Sequence, residues 1–373
     1  MKTKFNYLTF AVIALLVGFS SCSSNEDPEG TESKEQKSVF LKISGEQPST
    51  YSESPRGEDD VAVGFGSGDL YFVNSGGAIL AHYTLNTSTT NLGAGNIKLD
   101  DIKTGQVINN LPGQVTAVHV VGNTSGLPTT GNISAVKAFV RQITSQGSLS
   151  SVNLYGTNTL THTTGNDYTC NINLNPTVAR IELEDITASG VITGFRVDGI
   201  FIDNYYSQAT VDGTVSGTYL VDNDSDADLF DDESSVYTAL LKTYVYDFFP
   251  SGLTPIGNVV APATSGNVWG YNLFARTGSS GTFAIPRIVI RLSSITTSDG
   301  SSYTSPQFIT IKGLKEGSTS LTSIDAGKIY NIGTGALVFD EADLTPAPNM
   351  GAIDVTVRVI LAKWEVISVT PEL

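Results

Sequence analysis

Apolar and polar residues alternate along most of this chain with a period of two, the spacing of strands with one buried and one wet face. The runs at 69–73 (Asp-Leu-Tyr-Phe-Val), 78–83 and 115–121 are rich in β-branched and aromatic residues and are bounded by Gly, Asn and Ser. A second series opens at 178–184 (Val-Ala-Arg-Ile-Glu-Leu-Glu) and continues through Phe195, Val197 and Phe201. It resumes at 285–292, 307–311 and 329–339 and ends at 354–369. Thirty-seven glycines and 14 prolines punctuate these runs, so the pattern predicts an all-β sandwich or barrel and not alternating α/β units. One segment departs from it. Within 132–144, Ile133, Val136, Val140 and Ile143 recur at helical spacing behind Asn132, a favourable N-cap, and predict one amphipathic helix.

Ahead of the main series lies a short run, Ser38-Val39-Phe40-Leu41-Lys42-Ile43-Ser44. As a strand it places Val39, Leu41 and Ile43 on one row facing a core. Residues 45–60 follow, rich in Ser, Pro, Glu and Asp, and predict an exposed loop. Within that loop, in Pro55-Arg56-Gly57, is the first Arg of the chain; the next is Arg141. Residues 23–37 are polar without periodicity, which suits a tether.

The first residues carry an export signal. Lys2 and Lys4 precede an apolar run at 8–18, too short to span a bilayer as a helix, and small residues lead to Cys22. The stretch Phe19-Ser20-Ser21-Cys22 resembles a bacterial lipobox with Phe19 in the place usually held by Leu. Lipidation would make Cys22 the mature N-terminus; cleavage nearby without a lipid is the alternative. Ser-Ser-Asn-Glu-Asp at 23–27 resembles the acidic tag that directs lipoproteins of Bacteroidota to the cell surface, and several lipid chains on one cysteine make a firm anchor.

Composition narrows the function classes. A net charge of −16 argues against nucleic acid as a partner, since that binding needs a basic face. Cys170 is the only cysteine besides Cys22, so neither an intrachain disulfide nor a cysteine metal cluster is expected. Stability must come from a buried core, and 373 residues suggest two domains with a boundary near Asn175-Pro176. No H-E-x-x-H, G-x-S-x-G or C-x-x-C occurs, and His82, His119 and His162 lie far apart, so no enzyme and no cofactor is expected. Gly64-Phe-Gly-Ser-Gly lacks the Lys-Ser/Thr ending of a phosphate loop and suits a flexible start to a mature chain. Asp222, Asp224, Asp226, Asp228 and Glu233 fall at the first, third, fifth, seventh and twelfth places of a calcium loop. However, Ala227 stands where that loop needs its turn glycine, and the flanks do not read as two helices, so a solvated acidic loop is favoured.

The order of several segments resembles the fimbrillin family of Bacteroidota. Val118-His-Val-Val-Gly-Asn with its loop and the helical segment, Asn175-Pro-Thr-Val-Ala-Arg-Ile-Glu-Leu, Ala326-Gly-Lys-Ile-Tyr-Asn-Ile, and 355–369 with Trp364 resemble successive elements of that family. The resemblance implies two tandem transthyretin-like β-sandwich domains with one short helix in the N-terminal one. It divides the chain into a signal peptide at 1–21, a lipidated propeptide at 22–56, an N-terminal sandwich at 57–175 and a C-terminal one at 176–373. It further implies an outer-membrane lipoprotein precursor cut between Arg56 and Gly57 by an Arg-specific maturation protease; Lys37 and Lys42 are the other basic candidates. The strand with Val39, Leu41 and Ile43 would then leave. A donor strand carrying Val355, Val357, Val359, Leu361 and Val366 would fill the groove of another fimbrial subunit, building an adhesive cell-surface fimbrium. The alternative is a monomeric surface lipoprotein that binds glycan or host ligand, with aromatic candidates at Tyr205-Tyr206 and 244–249.

Overall fold

Among the described residues the alternating runs become strands in several sheets with no barrel, an all-β sandwich architecture with two short helices. The computed structural model describes residues 36–44, 54–55, 64–87, 95–148, 151–216, 220–221, 245–277, 285–348 and 353–361.

Apart from Ser54–Pro55 and Val140–Gln142, the described strands up to Pro176 form two sheets. One has four strands in the order Thr161–Thr164, Asp167–Asn173, Gln36–Ser44, Gln106–Pro112. The other has six, in the order Asn175–Pro176, Leu154–Thr159, Ala117–Gly122, Ser67–Val73, Ile79–Asn86, Asn96–Lys98. Strand alternation sends Leu70, Phe72, Val118, Val120 and Leu154 from the larger sheet into one core with Val39, Leu41, Ile43, Ile108, Leu111 and Ile172 from the smaller. Phe65 joins that core, so the glycine-rich stretch around it is a packed entry and not a loose start. Gly68 and Gly122 make room for its ring, which a Cβ at either position would crowd.

From Val178 onward the chain builds a ten-stranded sheet. Its path runs Tyr246–Leu253, Ile192–Asp203, Arg287–Thr297, Gln307–Glu316, Ile353–Leu361, Lys328–Ile332, Val178–Leu183, Asn267–Phe274, Ser54–Pro55, with Thr319–Ser320 beside Gln307–Glu316. Two pairings reach across between the early and late strands. Val140–Gln142 pairs with Gln208–Thr210, and Ser54–Pro55 pairs with Asn267 and Val268. The interior carries charge as well as hydrocarbon. Arg287 and Asp203 meet at 3.2 Å with neither side chain exposed, and Arg180 meets Glu182 at 2.6 Å.

The predicted helix at 132–144 is corrected. Asn132 does cap it, accepting from the Ser134 amide at 2.9 Å, and Ile133 and Val136 are buried as the spacing required. The helix is only Ile133–Lys137, however, and Val140 is 38% exposed. Val140–Gln142 is a strand because Gln208–Thr210 supplies it with partners, and Ile143–Ser145 is a single 3₁₀ turn. Tertiary pairing overrode a helical period only four residues deep. A second short helix, Leu99–Thr104, has just Leu99 and Ile102 as its apolar face, too little for a periodic signal.

Candidate functional site

The strand Gln36–Ser44, hereafter the leading strand, lies in the middle of the four-stranded sheet. It runs parallel to Asp167–Asn173, with Val39, Leu41 and Ile43 opposite Tyr168, Cys170 and Ile172. On its other side it runs antiparallel to Gln106–Pro112, with Val39 opposite Ile108 and Leu41 opposite Gln106. Among the described strands, Gln106–Pro112 pairs with nothing else. Val39, Leu41 and Ile43 have no exposed surface. The leading strand therefore does two jobs: it joins one wall of a groove to the other and closes the core beneath.

Its ends and outer row are shaped locally. The pairing register shifts between Lys37 and Val39, where Asn110 adopts φ 61°, a left-handed conformation that Asn tolerates better than most residues. The extra residue lets Ile108 and Leu111 both face the core. Facing away from the core, the Phe40 ring packs on Gly105, whose φ is 111° and where a Cβ would collide with the ring. Lys37 donates to the carbonyl of Val115 at 2.8 Å and stands 4.4 Å above the Tyr168 ring. Burial lowers the pKa of its amine. A lysine held this way inside a paired strand is poorly placed for a protease. The spacing of Val39, Leu41 and Ile43 was legible in the sequence. The place of Lys37 on the same row was not, because a basic residue at the margin of a run reads as solvated.

The closing strand, Ile353–Leu361, occupies an interior position in the ten-stranded sheet. It runs parallel to Gln307–Glu316 and antiparallel to Lys328–Ile332. Among the described strands it alone joins the group built on Gln307–Glu316 to the group built on Lys328–Ile332. The donor candidates Val355, Val357, Val359 and Leu361 thus sit on a strand that its own chain uses, with Leu361 opposite Lys328 and Val359 opposite Tyr330. Residues 353–357 pair on the parallel side and 358–361 on the antiparallel side, so this strand passes from one neighbour to the other. The leading strand, by contrast, has both walls at once over Val39–Leu41.

Cys22, Arg56, Gly57, Val366 and the acidic run Asp222, Asp224, Asp226, Asp228 and Glu233 lie outside the described residues. Ser54–Pro55, just ahead of Arg56, is paired. Among the described residues no three His, Cys, Asp or Glu side chains gather as a metal site, and no helix is long and apolar enough to cross a membrane. Of the aromatic candidates, Tyr205 is buried and Tyr206 lies under Arg276 at 5.9 Å. Tyr246 and Phe248 are exposed on the outermost strand of the sheet, Tyr246 stacked on Phe201.

The histidines serve local contacts. His82 meets Asp69 at 2.7 Å, His162 meets the Gly165 carbonyl, and His119 Nδ1 meets the Tyr155 hydroxyl at 2.7 Å. Burial, and secondarily the charge of Lys137, hold His119 down at about 4. The unfolded chain, with an ordinary His near 6.5, binds that proton more readily. The contribution of His119 is therefore whole above about pH 6.5 and lost as pH falls toward 4. Allowing for its partial exposure, the stability advantage over His119→Gln should shrink by about 1–2 kcal/mol between pH 7 and pH 4. Urea unfolding of both proteins at the two pH values checks this, and an unchanged gap refutes it.

Among solved structures, the chain is similar to a fimbrilin from Porphyromonas gingivalis W83, with 12% identity, 87% of this chain and 96% of that chain covered, and a TM-score of 0.51. It is also similar to a candidate cell adhesion protein from Parabacteroides distasonis ATCC 8503, with 13% identity, 89% and 96% coverage, and a TM-score of 0.49. A third, from Bacteroides eggerthii DSM 20697 and also a candidate cell adhesion protein, has 16% identity, 88% and 96% coverage, and a TM-score of 0.48. The structural neighbours are thus fimbrilins and candidate cell adhesion proteins of Bacteroidota; at these identities the likeness is one of fold, and the fimbrilin carries it. No protein-family model matches the sequence, and neither does any curated protein.

Proposed function

We propose that this chain is a structural subunit of a cell-surface fimbrium, assembled by strand exchange after proteolysis and serving adhesion. The observation that carries the proposal is the leading strand: a central strand that closes a core, twelve residues ahead of Arg56 in the sequence. Such a strand is costly to remove. Three side chains at about 1.5–3 kcal/mol each give roughly 5–9 kcal/mol of gross apolar burial. Removal also bares two rows of backbone donors and acceptors, on Asp167–Asn173 and Gln106–Pro112. A groove left in that state favours any strand with an alternating apolar row, and main-chain pairing fixes its register.

Within this proposal Cys22 anchors the precursor to the outer membrane, and an Arg-specific protease cuts between Arg56 and Gly57. Residues 22–56 then leave with the leading strand, and the C-terminal stretch of the next subunit enters. The closing strand stitches two groups of strands together in its own chain. The donor stretch in this proposal is 362–373, which carries Val366 and follows the closing strand. A head-to-tail contact of this kind does not close on itself and propagates as a filament. The fold shared with a fimbrilin supports a fimbrium over a monomeric receptor. Among the described aromatic candidates, Tyr246 and Phe248 are the exposed ones that a receptor could offer to a sugar.

The test is digestion of the precursor with an Arg-specific protease, followed by mass spectrometry and electrophoresis without boiling. A cut between Arg56 and Gly57 and a detergent-resistant ladder are expected, and both should disappear in Arg56→Ala. A ladder of equal strength from the uncut Arg56→Ala chain would sink the proposal.

A further inference from the structure

Strand alternation puts Lys37 on the same row as Val39, Leu41 and Ile43, opposite the buried Leu111. A charged head cannot follow that row into the core. Its stem runs along the rim and the ammonium finds two partners there, the Val115 carbonyl and the face of Tyr168. One partner lies on a wall of the groove and the other in the turn that ends the opposite wall, where the Val115 amide donates to the Pro112 carbonyl. Val115 follows Gln106–Pro112 in the chain, and Tyr168 lies on Asp167–Asn173. One side chain thus ties both walls together at the end of the groove that the apolar row does not reach, where the leading strand offers only Gln36 and Ser38 besides. We infer that Lys37 is a latch that sets how long the leading strand stays in its groove once the chain is cut. This rests on the proposal that the strand leaves.

Cys170 supplies a readout independent of assembly. Its thiol lies across from Leu41, is 2% exposed, and is pushed up to about 12 by burial, so it is inert while the leading strand is in place. In the full chain with Cys22→Ser, Cys170 is the one thiol. A site for a sequence-specific protease inserted within residues 45–53 allows cutting without reference to Arg56. After that cut, maleimide labelling of Cys170 should run about ten-fold faster in Lys37→Met than in the parent, the loss of one charged hydrogen bond and a cation–ring contact. Tyr168→Leu should give a smaller acceleration in the same direction. Before the cut, all three proteins should label slowly, because the tethered strand re-enters its groove. Labelling of cut Lys37→Met at the parent's rate overturns the latch. So does fast labelling of uncut Lys37→Met, which marks a general loosening of the fold. If neither cut protein ever labels, the leading strand does not leave, and the strand-exchange proposal falls together with the latch.

Discussion

Replacing Leu41 by Asp lowers the stability of the uncut precursor by about 4–5 kcal/mol. Leu41 is at the centre of the leading strand's inward row, without exposed surface, between Cys170 and Gln106. Its burial is worth about 2–3 kcal/mol, and a carboxylate placed there must be desolvated or protonated at a similar further cost. Lys42→Ser, on the outward row of the same strand, should change stability by less than about 1 kcal/mol. Urea unfolding of the two variants separates the rows. If both changes prove equally small, the leading strand is an appendage to the fold and not part of its cooperative core. The result bears on assembly too. A leading strand weakened by Asp at 41 should leave its groove faster once cut, whereas Lys42→Ser should behave as the parent does.

Two truncations are expected to differ as sharply. A chain ending at 352 lacks the closing strand, and the strands beside Gln307–Glu316 and those beside Lys328–Ile332 lose the one strand pairing described between them. Five residue pairings on the parallel side and four on the antiparallel side disappear, so we expect loss of the cooperative thermal transition and aggregation through the bared edges. A chain ending at 361 keeps that strand and should melt within about 5 °C of the parent, consistent with the small cost of trimming a terminus. After cutting with an Arg-specific protease, the longer truncated chain should give no ladder of its own, while still accepting the C-terminal stretch of a full-length subunit. A ladder from the chain ending at 361 would place the donor within Ile353–Leu361. Normal melting of the chain ending at 352 would mean that the closing strand is dispensable to its own sheet and suited to donation.

Much of the architecture was legible because strands announce themselves by alternation, and alternation survives without knowledge of the partner strand. Val39, Leu41 and Ile43 form such a row, as do Leu70 and Phe72, and each row sits in the core. Asn132 was legible for a different reason: a cap is a local bond between a side chain and an amide two residues on. Where a residue's state depends on chain far away, the sequence was silent or misleading. Val140 and Ile143 sit at helical spacing, yet Gln208–Thr210 draws Val140–Gln142 into a strand. Tyr205 and Tyr246 are both aromatics in β-rich runs, and only packing buries the first and exposes the second.

The sequence by itself determined that this is an all-β chain of alternating strands with a short strand at residues 38–44 ahead of them, because those properties are written in local period and composition. Only the tertiary structure decided that the leading strand is central to its sheet, that Lys37 reaches the Val115 carbonyl and the Tyr168 ring, and that the closing strand stitches together its own ten-stranded sheet. The physical reason is the same in each case. A strand's hydrogen bonds are made with neighbours distant along the chain, so its face can be read from period while its neighbours, and the work it does for them, cannot.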